Sequence, residues 1–249
     1  GSVHAGTTSN IIPEMVEIVK KLLSRGLAYE VDGNYYFSIA KFPSYGKLAH
    51  LDMSGLKAGG RVAADEYEKE SVSDFALWKA ASPGAPSWQT PFGSGRPGWH
   101  IESSAMNRKI FGGTIDIHTG GVDLIFPHHE NEIAQSEAAY GEQFVRHWIH
   151  AEHLLVDGAK MSKSLGNFYT LRDLTAKGYS SRSIRYLLLS AHYKKQLNFT
   201  FDGLKQANTA LERIDNFILR LNDIKIEGPG NPDIGKSADE FVTKFTNTM

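Results

Sequence analysis

Residues 114–132 read Thr114-Ile115-Asp116-Ile117-His118-Thr119-Gly120-Gly121-Val122-Asp123-Leu124-Ile125-Phe126-Pro127-His128-His129-Glu130-Asn131-Glu132. The first five residues, carried by Ile115 and Ile117, are read as a buried strand over 114–118. Gly120-Gly121 then breaks the chain, and Pro127 suits the first turn of a helix running to about Tyr140. Strand, glycine-rich turn and helix in that order point to a parallel α/β sheet. Open sheets of this kind place ligands at the carboxyl ends of their strands. His118, Gly120, Gly121 and Asp123 stand at that end and are candidates for a nucleotide pocket. Glycine lets backbone approach a ligand closely, and a carboxylate accepts from ribose hydroxyls. A Gly-Gly pair after a strand is also ordinary structural punctuation. His128 and Glu132 are four apart and share one helix face. Imidazole plus carboxylate at that spacing is half of a zinc site, or an ordinary hydrogen-bonded pair. Seven of the ten histidines fall within 100–153, which favours a functional cluster there.

Working outward, the 249 residues suffice for one large domain or two smaller ones. With 41% hydrophobic and 22% charged residues, the composition is that of a soluble globular protein. No apolar run approaches the roughly 18 residues a membrane span needs. The start, Gly1-Ser2-Val3-His4, has neither a basic n-region nor an apolar h-region, so a signal peptide is not expected and a cytoplasmic address is. Gly1-Ser2 reads as the scar of a protease cut. There is no cysteine, which excludes disulfides and any thiolate nucleophile or ligand from these residues. Charge is uneven. Residues 1–159 carry 13 basic and 19 acidic side chains (net −6), 160–225 carry 12 and 5 (net +7), and 226–249 carry 2 and 4 (net −2). A basic stretch is the electrostatic footprint of nucleic acid, or a set of solvated helix faces.

Apolar residues at Ile12, Met15, Val16, Val19, Leu22 and Leu23 predict a helix over about 10–25, capped by Asn10 or Ser9 and stopped by Gly26. Strands are expected at Ala28–Val31 and Tyr35–Ser38, joined by Asp32-Gly33-Asn34. Residues 40–98 are rich in turn formers and predict an irregular inserted subdomain rather than part of a regular sheet. A helix around Ile101–Ile110 and a strand at His153–Val156 follow. Beyond Lys160 the pattern is helical, over 180–189 and 201–221, and residues 228–232 read as a linker before a short amphipathic segment.

Two further runs carry chemistry. Lys160-Met161-Ser162-Lys163-Ser164 sets two ammonium groups three residues apart among hydroxyls, suited to a polyphosphate whose charge moves during transfer. Gly98-Trp99-His100-Ile101-Glu102-Ser103 puts a tryptophan after a glycine-rich loop, where it can wall a small apolar pocket or simply join the core.

Lys160–Ser164 matches the KMSKS signature of class I aminoacyl-tRNA synthetases. Together with Gly95-Arg96-Pro97-Gly98-Trp99-His100-Ile101-Glu102, Phe126–Gln135 and Asp74-Phe75-Ala76-Leu77-Trp78-Lys79, it resembles the cysteinyl-tRNA synthetase family from about Ile11 to Leu221. The resemblance implies an α/β fold, the C-terminal half of a class I Rossmann-like catalytic domain. It divides the chain into a helix plus connective insertion (1–98), the catalytic half with the KMSKS loop (99–165), a helical stem-contact region (166–225), and a linker with the start of a C-terminal helical region (226–249). It implies ATP with Mg, cysteine and tRNA as partners, a monomer, and no membrane. Lys160 and Lys163 are then the catalytic lysines, with Lys163 also on ATP. His118, Gly120, Gly121 and Asp123 bind the nucleotide, and Trp99 walls the amino-acid pocket. In that family zinc takes the substrate thiolate and is held by two Cys, one His and one Glu. Here His128 and Glu132 match, Ser103 stands at a Cys position, and the other Cys belongs, with the HIGH signature, to an N-terminal half that this sequence does not contain. A serine hydroxyl is a poor zinc ligand beside a thiolate, so zinc binding by this chain is expected to be weak and the chain inactive alone. A mycothiol-pathway cysteine ligase and a non-catalytic nucleotide- or RNA-binding module are the alternatives, and the net +7 of 160–225 argues against the first.

Overall fold

The computed structural model describes residues 10–51, 74–223 and 232–248. They form two compact units, one running to Leu154 and taking in His192–Leu197, the other made of Leu155–Ala191 and the chain from Asn198 onward.

In the first unit, α1 spans Ile12–Ser24 and buries Ile12, Met15, Val16, Ile18, Val19 and Leu22. Its N-cap is Ile11, with no side-chain cap, instead of Asn10. Burial of the apolar stripe, beginning at Ile11, determines where this helix starts. β1 (Ala28–Val31) and β2 (Asn34–Phe37) pair antiparallel in register Ala28↔Phe37 to Val31↔Asn34 around an Asp32-Gly33 turn.

The expectation of an irregular stretch before residue 98 is corrected for the described residues. β3 (Phe75–Ala80), β4 (Trp88–Thr90) and β5 (Gly93–Pro97) extend the hairpin to a five-stranded antiparallel sheet ordered β1-β2-β3-β5-β4. The turn formers at 82–86 are the connection between β3 and β4. The strand signal in Phe75-Ala76-Leu77-Trp78 is outweighed in composition yet decides the packing, since Phe75, Leu77 and Trp78 are all buried. The part of that expectation covering 52–73 lies outside the described residues, as do residues 1–9 and most of the predicted linker.

α2 (Trp99–Phe111) leaves β5 directly. It can do so because Gly98 sits against β3, where an added Cβ would fall 1.9 Å from the Ala76 carbonyl oxygen. α1, α2 and α3 (Glu130–Tyr140) share one core with the sheet, built on Met15, Ile18, Leu22, Phe37, Ile101 and Ala134.

β6 (Ile115–Gly121) and β7 (Val145–Ala151) form a parallel pair in register Ile115↔Val145 to Gly121↔Ala151, with α3 in the crossover between them. The glycine pair does not break the strand: Gly120 and Gly121 are its last two rungs, opposite His150 and Ala151. The break comes after them, in a 3-10 turn at Val122–Leu124 and an irregular turn at Ile125–His129, kinked at Phe126 in extended backbone, that feeds α3. β7 was not expected, because Arg146, His147 and His150 mask its alternation.

The second unit carries β8 (Leu154–Val156), β9 (Ala159–Lys160) and β10 (Leu197–Phe199) in the order β10-β8-β9. Its helices are α4 (Leu171–Ala176), α5 (Ser181–Leu189), α6 (Phe201–Asp223) and α7 (Pro232–Thr248). A capping box between Thr170 and Asp173 opens α4. α5 is tied to α6 by a bidentate Arg182–Asp215 pair at 2.6 and 2.8 Å and by Ser183 Oγ donating to Asn208 Oδ1 at 2.9 Å. Among the described residues, no helix is long and apolar enough to cross a membrane.

Candidate active site

Three segments of the first unit converge: the opening turns of α2, the carboxyl end of the β6–β7 pair, and the turn that enters α3. The His-His-Glu-Asn-Glu run at 128–132 divides its side chains between two directions. On one side, His128 Nε2 lies 2.8 Å from Glu132 Oε1 and 3.4 Å from Ser103 Oγ. His128 Nδ1 meets His100 Nδ1 at 2.8 Å, one nitrogen donating to the other. Trp99 lies over His128 with ring centroids 4.8 Å apart and is 59% exposed, so it is not a core residue. His118, at the end of β6, approaches Glu132 Oε2 at 3.5 Å. His129 is held by His150 of β7, Nδ1 to Nε2, at 2.8 Å. Trp148 packs over both His118 and His129, at 4.8 and 4.9 Å.

On the other side, Glu130 is fully buried and accepts backbone N–H bonds from Gly46 (2.8 Å), Leu48 (3.0 Å) and Ala49 (2.9 Å). The Tyr45 hydroxyl donates to Asn131 Oδ1. One helical turn thus carries the histidine–carboxylate cluster on one face and anchors the 45–49 loop on the other. Gln135, a turn later, donates to the His100 carbonyl at 2.6 Å and to Ser104 Oγ at 2.7 Å, which locks α2 against α3.

Glu132 is 1% exposed, and neither of its oxygens has a partner in hydrogen-bond geometry. The 2.8 Å approach of His128 Nε2 is an ion-pair distance whose ring N–H does not align with the oxygen. A buried carboxylate left in this state is costly unless a cation or further donors meet it. Burial, reinforced by the neighbouring imidazoles of His118, His150 and His128, pushes His129 down to about 3. Burial also lowers His118, against an opposing pull from Glu132, and lowers His150. These rings are neutral near pH 7, the form that can ligate a metal. Burial raises the Glu130 carboxyl, and the backbone donors of 46–49 oppose that rise.

Gly120 has a packing reason as well as the ligand-approach reason read from the sequence. A Cβ there would fall 2.6 Å from His129 Cε1. Asp123 is exposed in the 3-10 turn that follows β6. Sequence reasoning missed His100, His129, Glu130, Trp148 and His150. The last two lie on the unrecognised strand β7, and His129 and Glu130 fell between the two motif residues that were singled out.

Lys160 and Lys163 lie in the second unit, both exposed. Asn167 shapes their loop: it accepts from the Ser162 N–H at 2.8 Å and donates to the Lys160 carbonyl at 3.1 Å. The Gly166 N–H returns to the Lys163 carbonyl at 3.2 Å, and the Lys163 ammonium stands 5.7 Å from the Phe168 ring centroid. The loop is a closed turn that presents both ammonium groups to solvent.

The tRNA synthetases class I (C) catalytic domain matches residues 2–209. A cysteine–tRNA ligase of Brachyspira hyodysenteriae is 58% identical over 254 aligned positions, covering 100% of this chain and 53% of that protein. One from Chlamydia pneumoniae is 50% identical over 246, covering 97% and 52%, and one from Solibacter usitatus is 60% identical over 210, covering 84% and 45%. The chain spans about half the length of the curated relatives it matches. With more than half of its residues in one family match, the chain belongs to the class I (C) tRNA synthetase catalytic-domain family.

Proposed function

We propose that this chain is the portion of a cysteine–tRNA ligase that supplies the KMSKS loop and half of the amino-acid site. The reaction joins cysteine to ATP, giving cysteinyl-adenylate and pyrophosphate, and then moves the cysteinyl group to the 3′ end of tRNA. The observation that carries this reading is 58% identity to such a ligase along the whole chain, with His128, Glu132 and Ser103 drawn to one point by two different helices.

Lys163, with Lys160, stabilises charge building on the departing pyrophosphate of Mg-bound ATP, and both ammonium groups are free to do so. Gly120, Gly121 and Asp123 receive the nucleoside, with His118 on the inner wall of the same strand end. Trp99, exposed over His128, walls the amino-acid pocket.

The donor set fits zinc through Glu132, whose two buried oxygens lack hydrogen-bond partners. His128 and Glu132 would hold the ion, with Ser103 a weak third partner. A zinc ion held there would supply a soft Lewis acid for the substrate thiolate, which a serine hydroxyl would match poorly. His100 orients His128 for this by occupying its other nitrogen. The partners are cysteine, ATP and tRNA, with RNA contacts expected mainly in the +7 stretch of 160–225, and a cytoplasmic monomer is expected.

The test is cysteine-dependent ATP–pyrophosphate exchange in the complete enzyme, with and without Lys163→Ala. The substitution should lower the exchange rate about 10²–10³-fold and weaken ATP ground-state binding far less. Equal losses in rate and ATP affinity would make Lys163 a uniform binder and refute its assigned role.

A further inference from the structure

We propose that Gln135 is a positioning residue of the amino-acid pocket: it sets the register of α2 against α3, and with it the spacing of Trp99 and Ser103 from His128 and Glu132. The inference deepens the ligase reading above and rests on it.

Where the two helices meet, Ile101 and Ala105 of α2 share one apolar core with Ala134 and Ala138 of α3. Apolar contacts are non-directional, and alanine methyls offer little to stop one helix sliding along the other. A polar cluster crosses the same interface. Gln135 is 0% exposed. Its Nε2 donates to the His100 carbonyl at 2.6 Å and to Ser104 Oγ at 2.7 Å, which uses both of its protons. Ser136 Oγ donates to Ser104 Oγ at 2.9 Å, and Ser104 Oγ turns its own proton towards the Glu132 carbonyl at 3.5 Å. Hydrogen bonds are directional, so this cluster is satisfied at one register. It grips α2 at the residue after Trp99 and the residue after Ser103, the two positions whose side chains meet His128.

The cluster is costly in one respect. Gln135 Oε1 is buried with no hydrogen-bond partner. An apolar side chain of the same length would avoid that desolvation. It would leave little unpaired: Ser104 keeps Ser136, and the His100 carbonyl lies in the first turn of α2, where the helix supplies its own N–H. A glutamine that stability alone does not favour points to a role in fixing one arrangement, an attested use of buried polar groups. The pocket is sensitive to that arrangement. Ser103 Oγ lies 3.4 Å from His128 Nε2, and the Trp99 and His128 ring centroids are 4.8 Å apart. One residue of helix is about 1.5 Å of rise, and a misplacement of about 1 Å in a site costs up to about 10²-fold in rate.

The test is Gln135→Met, which keeps the length and bulk of the side chain and removes both donors. In the complete enzyme, assayed by cysteine-dependent pyrophosphate exchange, KM for cysteine should rise at least about 10-fold while KM for ATP stays within about twofold. The melting temperature should stay within a few degrees. A purely structural glutamine would do the opposite, lowering the melting temperature and leaving both constants of the folded fraction unchanged. In the 249-residue chain, the Trp99 indole N–H resonance should move in Gln135→Met while that of Trp88, on β4, stays. Ser104→Ala, which removes one of the two acceptors, should raise KM for cysteine by a smaller factor, and it carries the test if Gln135→Met does not fold. An unchanged cysteine KM, parallel changes in both KM values, or an unmoved Trp99 signal overturns the inference and leaves the ligase reading standing. No cysteine-dependent exchange in the unmutated complete enzyme refutes the ligase reading instead, and the Trp99 signal then still decides whether Gln135 holds α2 in register.

Discussion

Replacing Glu130 by glutamine probes the anchor on the far side of the α3 turn. Glu130 Oε1 accepts one backbone N–H, from Gly46, and Oε2 accepts two, from Leu48 and Ala49. Glutamine has nearly the same shape but only one acceptor oxygen. In its better orientation the carbonyl keeps the Leu48 and Ala49 bonds, and the NH₂ group confronts the Gly46 N–H. The cost is one lost bond to a charged acceptor, about 1.5–3 kcal/mol, plus weakening of the other two as they become neutral. The sum is about 2–4 kcal/mol. At roughly 2–4 °C per kcal/mol for a unit of this size, the melting temperature should fall by about 4–16 °C. Glu130→Ala should cost at least as much, because it orphans all three donors. Circular-dichroism melting and urea titration of the two variants measure both effects. The reasoning fails if Glu130→Gln stays within about 0.5 kcal/mol of the unmodified chain. Burial raises the carboxyl of Glu130, and a neutral acid there would make glutamine a silent isostere. The measurement therefore decides whether the three backbone donors overcome burial and keep the group ionised.

Gly120→Ala should destabilise the first unit by about 1–3 kcal/mol, because its Cβ would lie 2.6 Å from His129 Cε1; a urea midpoint unchanged from the parent would refute the steric argument. Pairing it with His129→Ala should restore much of the loss, as a double-mutant cycle would show. Stability should also fall with pH below the ordinary histidine value. His129 is lowered in the folded state to about 3 from 6.5, so the unfolded chain takes up the proton first. That contribution is full above pH 6.5 and is lost as pH falls towards 3, with a slope of up to about 1.4 kcal/mol per pH unit for one proton. Urea midpoints at pH 7, 6 and 5 should converge for the parent and His129→Gln as pH drops; parallel profiles would show that this ring does not carry the effect.

Local chemistry reaches only so far along this chain. The stripe Ile12, Met15, Val16, Val19, Leu22 has the period of one helix face, and α1 follows it to within two residues at either end. His128 and Glu132 are four residues apart, and helical geometry alone makes them neighbours. The strings from Gly95 to Glu102, from Phe126 to Gln135 and from Lys160 to Ser164 were enough to indicate the family. The sheet before α2 was not legible in the same way. Its strand residues are interleaved with Pro and Gly, and Trp78 marks a core only once Phe37 and Phe75 pack nearby. The glycine pair was read as a break, because isolated glycines punctuate chains. Pairing with β7 carries the strand through both of them, and β7 lies 24 or more residues away, beyond any local pattern. The partition of residues 128–132 between two faces was likewise a tertiary decision. A linear run of His, His, Glu, Asn and Glu does not say which carboxylate meets imidazoles and which meets a backbone loop more than 80 residues earlier. Periodicity and side-chain chemistry are properties of neighbours along the chain. The convergence of His118, His129, His150 and Glu132 depends on strand register and on how α3 lies across two strands, and those are properties of the fold.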